Sequence, residues 1–269
     1  MGIERLQDTR TGLEDQIRKN PADPKLRVYY FQLLCVFGQW DKALTQLQVA
    51  ADLDPKNLVM AQVCQLALQC EAFRQEVFAG NRTPLLLGEP EEWVSLLIEA
   101  NRLLAAAQYS GSRELIGRAL EMAPAVPGEV NGKPFEWIGD ADLRFGPVLE
   151  VIVDGKYYWV PFGRIRRIEI EPPTDLRDVV WLPASFTWAN GGTSVGLIPA
   201  RYPGSQNSDD DAVRLARKTD WVRLDEELYQ GFGQRMLVTD AEEYALLDVR
   251  EITLGEGEGS AGVDEDENV

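Results

Sequence analysis

Histidine is absent from this 269-residue chain, and cysteine is rare. Without an imidazole, the sequence cannot build a Ser–His or Cys–His nucleophile pair or a histidine metal site. The cysteines, Cys35, Cys64 and Cys70, form no C-x-x-C pair and lie in segments with helical periodicity. Their odd number and positions favour reduced thiols in the core of a cytoplasmic protein. An enzyme with this sequence would have to depend on carboxylates, lysine, tyrosine or cysteine.

Positive charge is also scarce. The 27 Lys and Arg residues are outnumbered by 44 Asp and Glu residues, which gives a net charge of −17. Nucleic acid phosphates and anionic membranes would repel such a chain. No stretch approaches the roughly 20 apolar residues of a membrane span, and the start lacks the basic and apolar parts of a signal peptide. We therefore expect a cytoplasmic protein with neither a nucleic acid nor a membrane partner.

The residues that are present change their pattern near position 128. Before it, apolar residues recur at helical spacing, and after it β-branched and aromatic residues dominate. We predict an α+β chain in which residues 1–127 form an all-α, TPR-like stack of helical hairpins. Residues 128–254 are predicted to form a mostly antiparallel β-rich domain, either a small barrel or a sheet. Residues 255–269 form an acidic tail that we expect to be disordered.

The helical half contains the pattern of a tetratricopeptide repeat. Gly38 separates two apolar stripes, and the small residues Ala43 and Ala50 would allow the two helices to approach closely. A degenerate second copy is predicted over 91–124, and a single long helix over 58–79. Core packing between stacked helices explains most of these apolar residues.

In the β-rich half, the run VLEVIVDGKYYWVP is typical of a hairpin. Asp154 and Gly155 lie between two β-rich stretches, and an Asp-Gly pair readily supplies the two positive φ angles of a type I′ turn. We predict a third strand over 165–170. Further strands are predicted in VVWLPASFTW, SVGLIPARY and QRMLVTD, with a short helix over 209–219.

Two acidic groups are candidates for chemistry. Asp140 and Asp142 could offer oxygen ligands to a divalent cation, but an isolated D-x-D pair is more often part of a turn. If a second pair, Asp175 and Asp178, converged with the first in one pocket, a carboxylate-based enzyme would be possible. This is the alternative to a binding function, and we assign no catalytic, cofactor or metal-binding residue.

The run TDLRDVVW contains the second acidic pair. If this segment is extended, Asp175 and Arg177 project to one face, and Arg177 could hold a carboxylate in a bidentate pair. We interpret Asp175, Arg177, Asp178 and Trp181 as a structural polar cluster that braces the β-rich half. Contact with a partner and catalysis are the alternatives for this cluster.

Several runs resemble the ImpE family, also called TagJ or SciE-type proteins. They are DADLRFGPVLE, PPTDLRDVVWLPA, PARYPGS, LARKTDW and GFGQRMLVTD, with EAFRQEVFAGNRTP and EEWVSLLIEA in the helical half. The resemblance implies a non-enzymatic adaptor of the bacterial type VI secretion system that binds a helix of the small subunit of the contractile sheath. It also suggests a link to the AAA+ unfoldase that disassembles contracted sheath.

A stack of helical hairpins has a concave face built by the first helix of each hairpin, and such a face suits an amphipathic helix or an extended peptide. In the repeat register, this face would carry Lys25, Val28, Gln32 and Cys35. We predict that these four residues contact the partner.

Overall fold

The computed structural model describes residues 5–255, and most of the predicted acidic tail lies outside them. The helices are α1 (Leu6–Lys19), α2 (Pro24–Val36), α3 (Trp40–Leu53), α4 (Leu58–Phe78), α5 (Glu92–Ala105), α6 (Tyr109–Met122) and α7 (Asp211–Arg214). The strands are β1 (Leu85–Leu86), β2 (Gly128–Val130), β3 (Lys133–Phe135), β4 (Ile138–Asp140), β5 (Val148–Val153), β6 (Lys156–Pro161), β7 (Ile165–Ile170), β8 (Trp181–Trp188), β9 (Thr193–Pro199), β10 (Thr219–Arg223), β11 (Tyr229–Gly233), β12 (Met236–Thr239), β13 (Glu243–Ala245) and β14 (Glu251–Leu254). The mixed α+β class predicted from the sequence is confirmed.

The helical half contains two hairpins, α2–α3 and α5–α6, which flank the long helix α4. Helix α2 begins after Asp23, whose side chain accepts the backbone N–H of Lys25 at 2.8 Å, and Pro24 occupies the first turn. Gly38 ends the helix with a positive φ of 65°. Ala43 and Ala50 are fully buried, as expected where helices approach closely. The predicted hairpin and the long fourth helix are confirmed.

The strand-rich half begins its main sheet with the predicted hairpin. Strands β5 and β6 pair antiparallel, and the turn residues Asp154 and Gly155 have φ angles of 51° and 69°. These two positive angles are those of a type I′ turn, which matches the twist of the flanking strands. A Cβ atom on Gly155 would lie 2.9 Å from a methyl group of Leu66, so the turn lies directly against α4.

The main sheet has nine strands within residues 5–255, in the order β1-β6-β5-β9-β8-β7-β14-β2-β3. Every neighbouring pair is antiparallel except β1 and β6, which run parallel. Strands β13, β12 and β4 form a smaller sheet, and β10 and β11 form a separate hairpin. Of the two predicted architectures, the sheet is therefore observed. The two-residue strand β1 comes from the helical half and was not predicted.

Strand β5 is buried on both faces. Val148 and Ile152 join the core shared with the helices, whereas Leu149, Val151 and Val153 join a second core on the other face of the sheet. The shared core continues from α1 to Trp181 and Tyr202. The division into domains at residue 128 stays a prediction, because one core spans the predicted boundary.

In the part of the chain that the structure describes, no helix combines the length and the apolar character needed to cross a bilayer.

Candidate partner-binding groove

The predicted polar cluster lies where the chain enters β8. Residues Leu176–Val179 form a 3₁₀ turn, so this segment is not extended. Asp178 stabilises the turn, because its Oδ2 accepts the backbone N–H groups of Thr174 and Asp175, each at 2.8 Å. Arg177 Nη2 lies 2.8 Å from Asp175 Oδ2, and its Nε lies 3.7 Å from Asp178 Oδ1.

This cluster connects the strand-rich half to the helices. Trp181 is buried, and its indole N–H donates to Glu71 Oε1 of α4 at 3.0 Å. The backbone N–H of Leu176 donates to Gln32 Oε1 of α2 at 3.1 Å. The structural role of the cluster stays a prediction, which these contacts support.

The four residues predicted to contact a partner do not share one accessible surface. Lys25 is exposed and Val28 is half-buried, but Gln32 and Cys35 are buried within the chain. Gln32 is buried because the 3₁₀ turn packs against α2 and uses the Gln32 amide as a hydrogen-bond acceptor. Lys25 and Val28 remain candidates for partner contact, which stays a prediction.

An open groove lies between α4 and the edge of the strand-rich half, with a volume of about 420 Å³. Its lining residues are Val59, Met60, Val63, Cys64, Leu66, Ile152, Asp154, Gly155, Arg177, Asp178, Trp181, Pro183, Val195, Gly196 and Leu197. The groove therefore brings together α4, the β5–β6 turn, β9 and the predicted polar cluster.

One wall of the groove is an exposed apolar face of α4. Val59, Val63 and Leu66 follow the i, i+4, i+7 spacing that places side chains on one face of a helix. Val59 is 72 % exposed, and Val195 on the opposite strand β9 is 78 % exposed. Apolar side chains with this exposure on both walls of a concave surface indicate a binding site.

The thiol of Cys64 at the base of the groove is buried. Burial raises its pKa to about 11, so it is a neutral, small apolar side chain at physiological pH. Cys64 thus adds to the apolar lining and has no activated nucleophile character.

Outside the groove lining, a buried ionic network joins α4 to the sheet. Glu150 of β5 accepts hydrogen bonds from Arg74 Nε at 2.6 Å, Arg74 Nη2 at 2.7 Å and Arg235 Nη1 at 2.9 Å, and a short one from the Tyr157 hydroxyl. Burial alone would raise the pKa of Glu150, but the two guanidinium groups outweigh it and lower the pKa below its usual value.

The network continues to the first predicted acidic pair. Asp140 accepts from Arg235 Nη2 at 2.6 Å and from the Tyr202 hydroxyl at 2.8 Å, and burial raises its pKa to about 6. Asp142 pairs with Arg144 at 2.6 Å and accepts the backbone N–H of Gly231 at 2.8 Å. These acids are bound by arginines and backbone groups inside the protein.

The hypothesis of a carboxylate enzyme required both acidic pairs to converge in one pocket. Within residues 5–255, Asp140 and Asp142 share no hydrogen-bond or ion-pair partner with Asp175 and Asp178. Of the four acids, only Asp178 lines the groove, where it is occupied by backbone N–H groups. The arrangement does not supply the paired carboxylates that the hypothesis needs.

Sequence reasoning missed Arg74, Glu150 and Arg235. One local signal was available for Glu150, which interrupts the otherwise apolar run VLEVIV in a predicted buried strand. A charged residue in such a strand requires a buried partner of opposite charge. The identity of the partner could not be deduced, because Arg74 and Arg235 are 76 and 85 residues away in the chain.

The chain is an α+β protein with an open, apolar-lined groove between α4 and β9. The family model described as "ImpE protein" matches residues 132–253. A curated relative, "Type VI secretion system accessory component TagJ" from Pseudomonas aeruginosa, is 49 % identical over 248 residues, covering 92 % of this chain and 87 % of the relative. The chain therefore belongs to the ImpE/TagJ family.

A solved structure shares the whole architecture. The crystal structure of protein VPA1032 from Vibrio parahaemolyticus superposes with a TM-score of 0.84 at 28 % sequence identity, and the match covers 93 % of each chain. The arrangement of helices and sheet described above is therefore also found in that protein.

Proposed function

We propose that this protein is a non-enzymatic, cytoplasmic accessory component of the bacterial type VI secretion system that binds a helix of the small sheath subunit. Family membership and the name of the Pseudomonas aeruginosa relative support the role in secretion. A link between the sheath and its AAA+ unfoldase is a further part of this proposal, and it rests on the family resemblance alone.

The observation that carries the binding proposal is the exposed apolar face of α4 opposite β9. An amphipathic helix that docks in such a groove buries side chains at i, i+3 or i+4, and i+7. Leu66 follows Val59 by seven positions, which corresponds to about 10 Å of helix at a rise of about 1.5 Å per residue. This length matches roughly two turns of a bound helix, which would contribute two or three apolar anchors.

Polar groups at the groove would set the orientation of the bound helix. Arg177 and Asp154 line it beside the apolar residues, whereas the buried Asp178 is already bonded to backbone N–H groups. Charged groups at the rim of an interface contribute more to specificity and association rate than to affinity. We therefore expect the affinity to depend chiefly on the α4 face and on Val195.

A pair of valine substitutions tests the groove. Val63 and Val222 are 48 % and 47 % exposed, but only Val63 lines the groove, whereas Val222 lies on β10. Titration calorimetry of the full chain with the small sheath subunit, and with peptides from its helices, would measure the affinity. Val63→Glu should weaken binding at least tenfold, because it removes the apolar contact of the exposed half of Val63 and places a carboxylate in the apolar interface, where its desolvation costs more than the roughly 1.4 kcal/mol that corresponds to a factor of ten. Val222→Glu should bind like the unmodified protein.

Two results would contradict different parts of the proposal. Absence of binding by the unmodified protein at moderate salt would reject the sheath subunit as partner. Equal binding by Val63→Glu, with equal melting temperature, would keep the partner but move the site away from the groove. Lys25→Glu would then test the surface predicted from the repeat pattern.

A further inference from the structure

A second cleft lies between the β10–β11 hairpin and the body of the protein, with a volume of about 630 Å³. Its lining residues are Ala141, Leu143, Lys218, Thr219, Trp221, Glu227, Tyr229, Gln234, Met236 and Glu243. None of these residues lines the groove on α4. The cleft is therefore a separate candidate surface.

Two aromatic side chains share the face of the hairpin that closes the cleft. Trp221 is paired with Gly231, and Tyr229 is paired with Arg223, so these four residues have the same orientation in the two-stranded ladder. Trp221 and Tyr229 are 41 % and 44 % exposed. Each ring thus keeps a large part of its surface available to a ligand.

One side of Trp221 packs against the protein interior. Its ring centroid lies 5.6 Å from that of the buried Tyr202, whose hydroxyl donates to Asp140. A Cβ atom on Gly231 would lie only 2.6 Å from the Tyr202 ring, so the β10–β11 hairpin packs closely against this tyrosine. A ring held in this way loses little conformational freedom when a ligand binds.

The charge of the cleft is negative. Glu227 and Glu243 are exposed, and neither forms an ion pair in the part of the chain from 5 to 255. The ammonium group of Lys218 is already neutralised by Asp210 at 2.7 Å and by Asp220 at 3.0 Å.

Arg223, the other cation on this hairpin, donates to the backbone carbonyl groups of Asp225 at 3.0 Å and Glu226 at 3.2 Å. It is not among the lining residues. The cleft thus combines two aromatic faces with two carboxylates that lack a cation.

We propose that this cleft binds a protein partner through an arginine or lysine side chain. The cation lies against the faces of Trp221 and Tyr229 and is neutralised by Glu227 and Glu243. A basic polypeptide fits this surface by charge complementarity, whereas a chain with a net charge of −17 opposes a nucleic acid. This surface is additional to the groove that we propose for the sheath helix, so the two proposals can fail independently.

The test uses the full chain and the indole N–H signal of Trp221, assigned by comparison with Trp221→Phe in ¹⁵N–¹H spectra. The probe is the blocked tripeptide acetyl-glycyl-arginyl-glycinamide, and its control has citrulline, which is neutral and of the same shape, in place of arginine. We expect a saturable shift with a Kd in the roughly millimolar range for the arginine peptide. We expect no shift with the citrulline peptide, and weaker binding as salt is added.

Variants that remove the charge of the two carboxylates test where the cation of the peptide binds. Glu227→Gln and Glu243→Gln, singly and together, should weaken binding, by at least about tenfold for the double variant. Glu226→Gln is the matched control, because Glu226 is an exposed neighbour outside the cleft. An absent shift, an equal response to citrulline, or an equal loss in Glu226→Gln would overturn the proposal. The single variants keep the test decisive if the double variant does not fold.

Discussion

Replacement of Glu150 by glutamine should cause a large loss of stability. Glu150 is fully buried and accepts two hydrogen bonds from Arg74, one from Arg235 and one from Tyr157. Glutamine keeps the size of the side chain but removes the negative charge and places an N–H₂ group against guanidinium donors. Two buried cations then lose their shared counter-charge.

The expected magnitude follows from this geometry. Breaking a buried ion pair by removing one partner costs about 3 to 5 kcal/mol, because an uncompensated charge remains in the interior. The free energy of unfolding of a protein of ordinary stability is about 5 to 15 kcal/mol, so Glu150→Gln should lose about a fifth or more of it. The exposed control Glu169→Gln, in which the pair with Arg167 is about half exposed, should change stability by less than about 0.5 kcal/mol.

Urea unfolding followed by tryptophan fluorescence and by far-ultraviolet circular dichroism measures this loss, and coincident transitions would justify a two-state analysis. The double variant Arg74→Met, Glu150→Gln should lose less free energy of unfolding than the sum of the losses of the two single variants. The reason is that Arg74→Met removes one of the two buried cations that Glu150→Gln leaves without their shared carboxylate. A loss below about 1 kcal/mol for Glu150→Gln, or strict additivity in the double variant, would refute the reasoning.

Other predictions concern the polar cluster, the thiols and the chain division. From the sequence, Arg177→Ala would cost roughly 2 to 5 kcal/mol if it paired with a buried carboxylate. The closer partner, Asp175, is 44 % exposed, and the buried Asp178 lies 3.7 Å away and is already bonded to two backbone N–H groups. Urea unfolding of Arg177→Ala should therefore show a loss of about 1 kcal/mol or less, and a loss above about 2 kcal/mol would contradict this geometry. Burial raises the pKa of Cys64 to about 11 and the pKa of Cys70 to about 12. Ellman's reagent at pH 8 should therefore label the thiols of the native protein far more slowly than those of the urea-unfolded protein. Equal labelling rates would contradict the burial of these thiols. A 1–127 fragment lacks the residues of the strand-rich half that complete the core shared with the helices, so it should show no cooperative thermal transition. A sharp transition would instead support an independent helical domain.

The proposed binding surface shows where local reasoning from the sequence reaches its limit. The repeat register assigned Gln32 and Cys35 to an open concave face, and the register itself agrees with the observed α2–α3 hairpin. The structure covers that face with the 3₁₀ turn at Leu176–Val179, about 140 residues further along the chain. The exposed apolar face of α4 remained unrecognised, because apolar residues at helical spacing are compatible with core packing as well as with binding.

The features that the sequence alone predicted depend on interactions between residues close together in the chain. The helical period, the glycine that ends α2 and the Asp154–Gly155 turn each act within a few residues, so the sequence alone indicated the hairpins and the α+β class. The family runs of the strand-rich half likewise identified the ImpE/TagJ relationship.

Only the tertiary structure decided which face of each element is covered. Glu150 meets Arg74 and Arg235 only when β5, α4 and the segment before β12 pack together, and the residues next to Glu150 in the chain do not specify those partners. The same long-range packing leaves Val59 and Val195 exposed on opposite walls of the groove while it buries Cys35. Burial and ion pairing depend on contacts between segments that are distant in the chain, and the apolar periodicity of one segment does not contain that information.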